Sequence, residues 1–251
     1  MGYQSKSVKS KWVKTKWLLN KKSLGKYVPH TLLFNLGNLD RMLSKHSTVY
    51  FKPTGGSGGF HIHRIKKWGQ GYQVQHNAKY NHCLTLKELY DHLYQFSRGR
   101  SYLLQKGIQL ATVNDRPFDI RVMVQKSNDG LWRSTALFTK IGLPGKVATN
   151  YNQGGEIGYL RHTLEKANFS KSMILRKERE LTKLGIAVGR IFNKHSSGFR
   201  ELGLDVALDK KGKAWILEVN TRPQFYPLKQ MKDKSMYQRI ISYAKTYGRR
   251  K

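Results

Sequence analysis

The sequence is short of acid. Forty-seven Lys and Arg stand against fifteen Asp and Glu, a formal net charge of +32 over 251 residues. A field of that sign draws polyanions and speeds their encounter, but it says nothing about fold. Cysteine is almost absent as well. Cys83 stands alone, which excludes an internal disulfide and makes an intracellular life the default. No apolar run approaches the roughly 20 residues that a membrane-crossing helix requires. Trp17-Leu18-Leu19 is too short for the apolar segment of a signal peptide, despite the positive charge ahead of it. Pro- or Ser-rich linkers and internal repeats are also missing. With 39% hydrophobic residues the chain has enough apolar surface for a core, so the expectation is a folded, cytoplasmic protein.

The basic excess gathers at the two ends. Residues 1–26 hold eight lysines and no acid, and residues 229–251 hold eight basic residues against Asp233 alone. Polyanionic partners fit such a surface: acidic polypeptide, teichoic-type polymer, anionic membrane, nucleic acid or nucleotide phosphate. No helix-turn-helix, zinc-finger or RNP-like signature is present, so nucleic acid would be bound only non-specifically and in a salt-sensitive way.

Between the ends, strands and helices mix. Trp12, Val13, Trp17 and Leu18 fall at helical spacing among lysines, which predicts a basic amphipathic helix over 10–22. A short strand, Val49-Tyr50-Phe51-Lys52-Pro53, runs into Gly55-Gly56-Ser57-Gly58-Gly59. Strands are predicted at 60–66 and 72–76, then a helix capped by Thr85 and Glu88. Further strands follow at 102–110, 118–126 and 132–140, a loop at 141–158, a long helix over 170–194, a hairpin of 201–208 with 214–220, and a basic closing helix. Hairpins of this number favour α+β over a doubly wound parallel sheet.

The hairpin carries the most chemistry. Alternate residues of a strand share a face, which groups Glu201, Gly203, Asp205 and Ala207, and likewise Ala214, Ile216, Glu218 and Asn220. Closing the hairpin on a two-residue Lys211-Gly212 loop sets Asp205 opposite Glu218 and Gly203 opposite Asn220. Two carboxylates and an amide oxygen then converge, with glycine leaving room beside the amide. Carboxylates that close repel unless a cation lies between them, and a hard-oxygen set suits Mg²⁺. A solvated hairpin face would show similar letters, but the opposite face, Leu202, Leu204, Val206 and Leu208, is uniformly apolar. On the other side, Lys52 and its glycine cluster suit phosphate, a point charge beside approachable backbone N–H groups. The spacing matches neither a P-loop nor a Rossmann fingerprint.

Together these segments resemble the ATP-grasp fold, and specifically the YheC/YheD endospore coat-associated family. The resemblance rests on Tyr50-Phe-Lys52-Pro with its Gly loop, Pro117-Phe-Asp119-Ile-Arg121-Val, Thr149-Asn150 with Gly154-Gly155, and Glu201-Leu-Gly-Leu-Asp205 through Glu218-Val-Asn220-Thr-Arg222-Pro. The thirteen-residue interval from Asp205 to Glu218 is its most specific part. It implies one module of two α+β lobes clasping ATP: a smaller lobe of about residues 25–103 and a larger, metal-holding lobe of about 104–251. It further implies that Lys52, Gly55, Gly56, Ser57, Gly58, Gly59 and Asn150 serve the nucleotide, and that Gln105, Lys106 and Ile108 lie on the strand that meets adenine and ribose. Gln105 stands where many relatives have an acid. Asp205, Glu218 and Asn220 are implied to hold one or two Mg²⁺ ions. An early lysine near the adenine is usual, with Lys11, Lys14 and Lys16 all eligible.

The same segments resemble ribosomal-protein glutamate ligases and tubulin ligases, which phosphorylate a carboxylate and pass it to an amine. On that likeness Arg121, Lys140 and Arg222 are candidates for stabilising the transferred phosphoryl group or the acyl phosphate, with an acidic peptide or polymer as acceptor. Association with spore coat proteins is implied by the family. A non-catalytic, nucleotide-binding spore structural protein is the alternative, since this chain begins almost at the grasp module, without the extra N-terminal lobe of many ligases. His61-Ile62-His63 would put two imidazoles on one strand face, too few for zinc. Cys83 has no evident activating base.

Overall fold

The computed structural model describes residues 2–56, 58–143 and 154–249. The sequence opens with two short helices, α1 (Lys11–Leu19) and α2 (Lys22–Gly25). Ser10 starts α1 by accepting the Val13 N–H at 3.3 Å, which satisfies one of the orphan donors of the first turn.

The first sheet takes β1 (Thr31–Leu33), β2 (Thr48–Pro53), β3 (His63–Trp68), β4 (Gly71–His76), β5 (Lys79–Cys83) and β6 (Tyr102–Lys106), in the spatial order β1-β6-β2-β3-β4-β5. Helices α3 (Leu36–Lys45) and α4 (Leu86–Ser97) pack on it through Leu39, Met42, Leu43, Leu89 and Leu93, against Val49, Phe51, Ile65 and Val74. At the start of α4, Thr85 accepts the Glu88 N–H and Glu88 reaches back to the Leu84 N–H. The strand expected from residue 60 begins only at His63. Gly58, Gly59 and His61 all hold positive φ, so the loop continues past the glycines and His61 shares no strand face with His63. β5 lies outside the apolar strand pattern because Lys79, Tyr80, Asn81 and His82 are exposed at the sheet edge and only Cys83 is buried. β6 lies wholly in the first sheet.

The second sheet has β7 (Thr112–Val113) attached to the start of β8 (Arg116–Lys126), with the order β10-β9-β8-β11-β12, where β9 is Trp132–Ile141, β10 Glu156–Tyr159, β11 Glu201–Leu208 and β12 Ala214–Asn220. Between β10 and β11 come α5 (Leu160–Lys166) and α6 (Lys171–His195). α6 lays Leu181, Leu184, Val188 and Phe192 on Val122, Val124, Leu202 and Leu204. It comes close because Gly185 and Gly189 carry no side chain: a Cβ there would meet Val124 at 2.7 Å or Trp132 at 2.5 Å. The opposite face is only half covered. A 3-10 turn (Tyr226–Gln230) and α7 (Ser235–Lys245) bury Met123, Ala136 and Phe138 through Phe225, Leu228 and Ile240. The other half of that face, towards Asp119, Arg121 and Asp205, looks into a cleft. α1 and α2 also join the second sheet's core, through Leu18 and Leu24.

Every strand pairing is antiparallel and each sheet carries its own helices, so the α+β class holds. Among the described residues no helix is long and apolar enough to cross a membrane.

Candidate functional site

Strand register assembles the site. On the bare half of the second sheet, Asp119 of β8 lies opposite Lys140 of β9, and Arg121 lies opposite Asp205 of β11. Asp205 in turn faces Glu218 of β12, and Gly203 faces Asn220. Opposed side chains on one face sit within contact range, so three acids and two cations form a continuous row.

The expected pairing of Asp205 with Glu218 is present, but the hairpin reaches it by another route. The loop is three residues long, Lys210-Lys211-Gly212 between the bonded Asp209 and Lys213, with Gly212 at φ +76°. That is the glycine-bulge turn, not a two-residue one. A β-bulge between Asp205 and Val206 then absorbs the difference. It also flips part of β12. Ala214 and Ile216 turn into the core with Val219, whereas strict alternation had set them beside Glu218 and Asn220. The room beside Gly203 is filled as well: a Cβ there would strike Pro223 at 2.5 Å and Arg121 at 3.1 Å.

The cations that relieve the acids are side chains of the chain itself. Arg121 Nε donates to Asp205 Oδ1 at 2.7 Å, and Lys140 Nζ to the same oxygen at 3.0 Å and to Asp119 at 2.9 Å. Asn220 Nδ2 donates to Asp205 Oδ2 at 3.1 Å. Burial alone would raise the Asp205 carboxyl, but the charges and hydrogen bonds of Arg121 and Lys140 outweigh it and hold it well below the usual carboxylate range. Glu218 meets Lys11 Nζ at 3.5 Å and Lys14 Nζ at 3.9 Å.

From the first sheet, Lys52 at the end of β2 donates to Gln105 Oε1 at 2.7 Å, and Gln105 Nε2 reaches Thr31 at 3.3 Å. Desolvation pushes the Lys52 ammonium down to about 8, with Glu218 pulling the other way. Lys11 crosses between the sheets. Its backbone N–H bonds Thr54 O at 2.6 Å and its Nζ bonds Gly56 O at 2.7 Å.

These groups line one cleft of about 690 Å³. Of the residues expected at the site, Lys52, Gly55, Gly56, Gly58, Gly59, Gln105, Lys106, Ile108, Arg121, Lys140, Asp205, Glu218, Asn220 and Arg222 all lie on its wall. Ser57 and Asn150 fall outside the described residues. Part of the lining is apolar, with Leu18, Val28, Leu103, Ile108 and Leu110, and part carries the charges. Among the eligible lysines, Lys11 and Lys14 face the cleft, whereas Lys16 Nζ sits 5.9 Å from the Trp12 ring centroid. The signal was in the spacing, because Lys11, Lys14, Thr15 and Leu18 recur at one face of α1. Asp119 was quoted in the motif without a role, although it completes the charge row.

The donor set fits a hard divalent cation. Glu218 and the Asn220 Oδ1 left over from the Asp205 bond are oxygen donors on the same strand face as Asp205. The cleft nevertheless holds more positive than negative charge: Lys11, Lys14, Lys52, Arg121 and Lys140 against Asp119, Asp205 and Glu218, with Arg222 and Lys106 beyond them. Such a ring favours a polyphosphate that brings its own cation over a bare metal ion. His63 is stacked 4.5 Å from His76 and buried, and desolvation presses it down to about 3, so it behaves as a neutral core ring. Among the described residues no group of three His, Cys, Asp or Glu is placed to hold a metal.

Comparison with known proteins agrees with this architecture. Endospore coat-associated protein YheD of Bacillus subtilis (strain 168) is 26% identical over 191 residues, 74% of this chain and 41% of that protein. YheC of the same organism is 21% identical over 204 residues, 80% of this chain and 56% of its own length. The chain thus spans about half the length of these curated relatives. The fold is similar to that of purK, N5-carboxyaminoimidazole ribonucleotide synthetase, in its ADP complex, at a TM-score of 0.55 and 14% identity, over 95% of this chain and 52% of that one. It is also similar to the C-terminal domain of Pby1 from K. lactis, an ATP-grasp enzyme, at 0.54 and 15% identity, over 96% and 74%. A model of YheC/D-like ATP-grasp proteins matches residues 3–249, through both sheets and every strand of the charged row, and the chain belongs to that family.

Proposed function

We propose that this protein binds Mg-ATP in the cleft and uses it to join a carboxylate to an amine through an acyl phosphate. The observation that carries the proposal is the cross-strand row Lys140–Asp119 and Arg121–Asp205–Glu218, facing Lys52 across the cleft. The apolar part of the lining suits adenine, along with Lys106 and Gln105. Lys52 and the N–H groups of the glycine loop suit the phosphates. Glu218, Asn220 and Asp205 would hold Mg²⁺, which when bound neutralises charge on the transferring phosphoryl oxygens.

Arg121 and Lys140 have a second duty. Anchored on Asp205, they cannot swing away, so their charge stands fixed where an anionic transition state would form. In the reaction proposed, an acceptor carboxylate oxygen attacks the γ-phosphorus and ADP leaves with the bridging oxygen. The amine nitrogen then attacks the acyl carbon, loses a proton, and phosphate departs. Acceptor activation of this kind is chiefly positioning and charge neutralisation, which is what the row supplies.

Spore coat association is part of the proposal, supported by the names of the curated relatives. They also support a second reading, a nucleotide-binding structural protein without turnover. The test is calorimetric titration of ATP with Mg²⁺ at raised salt, against wild type and Asp205→Asn/Glu218→Gln. Saturable one-site binding that the double variant weakens by about a hundredfold or more is the expected result. Equal binding by both proteins would overturn the site and leave the net charge as the explanation. ADP release that requires both an acid and an amine, lost in a folded Glu218→Gln, separates the ligase from the structural reading.

A further inference from the structure

The turn that follows β12 builds a second hollow, of about 350 Å³, beside the nucleotide cleft. Its cations are Arg222, Lys229 and Arg249, its rings Phe225, Tyr226 and Tyr237, and among the described residues no carboxylate lines it. A volume at the low end of ligand pockets suits one amino-acid-sized group rather than a second nucleotide.

Two of its three cations have no acidic partner among the described residues. Arg249 is committed to the buried Glu201. Arg222 and Lys229 make no ion pair among the described residues, and their heads lie over rings, Arg222 at 4.9 Å from Tyr3 and Lys229 at 5.6 Å from Tyr237. Asp233 is the one acid in this stretch of sequence, and it caps Ser235 at 2.8 Å.

The hollow is continuous with the site. Arg222 and Gln224 line both cavities, and the Gln224 carbonyl accepts Arg121 Nη1 at 3.2 Å, one residue away from the Arg121–Asp205 pair. It therefore adjoins the cleft beside Arg121 and Arg222. Pro223, seated against Gly203, holds this turn in place.

We infer that this hollow receives the acceptor: a carboxylate on an amino-acid or acidic-peptide body, its charge on Arg222 and Lys229 and its body on the Tyr226 and Tyr237 rings. The inference rests on the ligase reading above and gives it a substrate class. A carboxylate entering there meets the cleft beside Arg121, where phosphoryl transfer would occur.

The test is binding of a fluorescently labelled oligo-glutamate peptide at raised salt, with free glutamate as competitor. Arg222→Glu/Lys229→Glu, and Lys229→Glu alone as the milder variant, are compared with Lys183→Glu/Arg190→Glu on α6. α6 packs on the opposite face of the sheet, and both pairs change the net charge equally. The expected result is saturable binding weakened about tenfold or more by the hollow pair and about twofold or less by the α6 pair. Competition by free glutamate would assign a small acid, and its failure to compete would assign a peptide. Equal weakening by both pairs, or no saturable binding, would overturn the subsite. Mg-ATP titration of the same wild-type sample separates the two readings. If ATP fails to bind, the nucleotide site and with it the acceptor role fall; if ATP binds while the pairs behave alike, the subsite alone falls.

Discussion

The two walls of the cleft are built on different principles. The second-sheet wall is held by its own side chains: Asp119, Arg121, Lys140 and Asp205 hold one another across three strands at 2.7–3.0 Å. The first-sheet wall offers Lys52, bound to an uncharged Gln105, and a loop whose Gly56, Gly58 and Gly59 sit at positive φ. Paired charges in a sheet are rigid and costly to disturb, whereas a glycine loop and a lone desolvated ammonium gain partners only when an anion comes. In the proposed reaction one wall would set the geometry, and the other would be completed by the anion it binds.

The contrast can be broken or sharpened in three ways. The largest effect is expected from Glu201→Gln. Glu201 begins β11, is fully buried, and is reached by Tyr3 Oη at 2.6 Å, Tyr247 Oη at 2.8 Å and Arg249. Cutting one side of such a buried pair should cost about 3–5 kcal/mol in denaturant unfolding. A loss below about 1 kcal/mol would mean the second wall does not depend on buried charge.

Lys52→Met should behave in the opposite manner. It should weaken ATP binding by about 1.5–3 kcal/mol, roughly ten- to a hundredfold, as for a hydrogen bond to a charged group. The melting temperature of the ligand-free protein should stay level or rise. The sign follows from the lowered folded-state value of Lys52, about 8 against an unfolded value of 10.5. Between those values the unfolded chain binds more protons, so wild-type stability rises with pH across the window. ATP affinity should fall over the same window as the ammonium discharges. Both slopes should vanish in Lys52→Met, and a variant that keeps either would assign it to another group.

The smallest effect belongs to Gly58→Ala. At φ +81°, with Phe60 atoms at 2.7 Å from an added Cβ, the loop must shift. About 1 kcal/mol, a fewfold loss of ATP affinity, is expected because the loop is adaptable. Abolition of binding would make this wall as rigid as the other.

Much of this was legible in the sequence, for physical reasons that differ from place to place. Alternation reads well where one face is buried, so Leu202, Leu204, Val206 and Leu208 announced the core side of β11. The Asp205–Glu218 pairing was read correctly from a wrong turn, since the three-residue loop and the bulge offset each other. Turn length and bulges are set by backbone torsions that letters barely constrain, which is why Ala214 and Ile216 were assigned to the wrong face. β5 has no apolar alternation to display. The cations around the acids could be nominated singly, as Arg121 and Lys140 were. That they neutralise Asp205 depends on pairing between strands far apart in the chain, and so does the hollow at Arg222 and Lys229.

The crossing made by Lys11 has a mechanical consequence. α1 rides on the second sheet, yet the first residue of that helix is fastened to Thr54 and Gly56 beside β2. One side chain thus ties the two walls together, because the same Lys11 ammonium also lies 3.5 Å from Glu218 of β12. If the cleft takes a cation at Glu218 or an anion at Lys11, as proposed, the same event would loosen the tie that Lys11 makes between its walls.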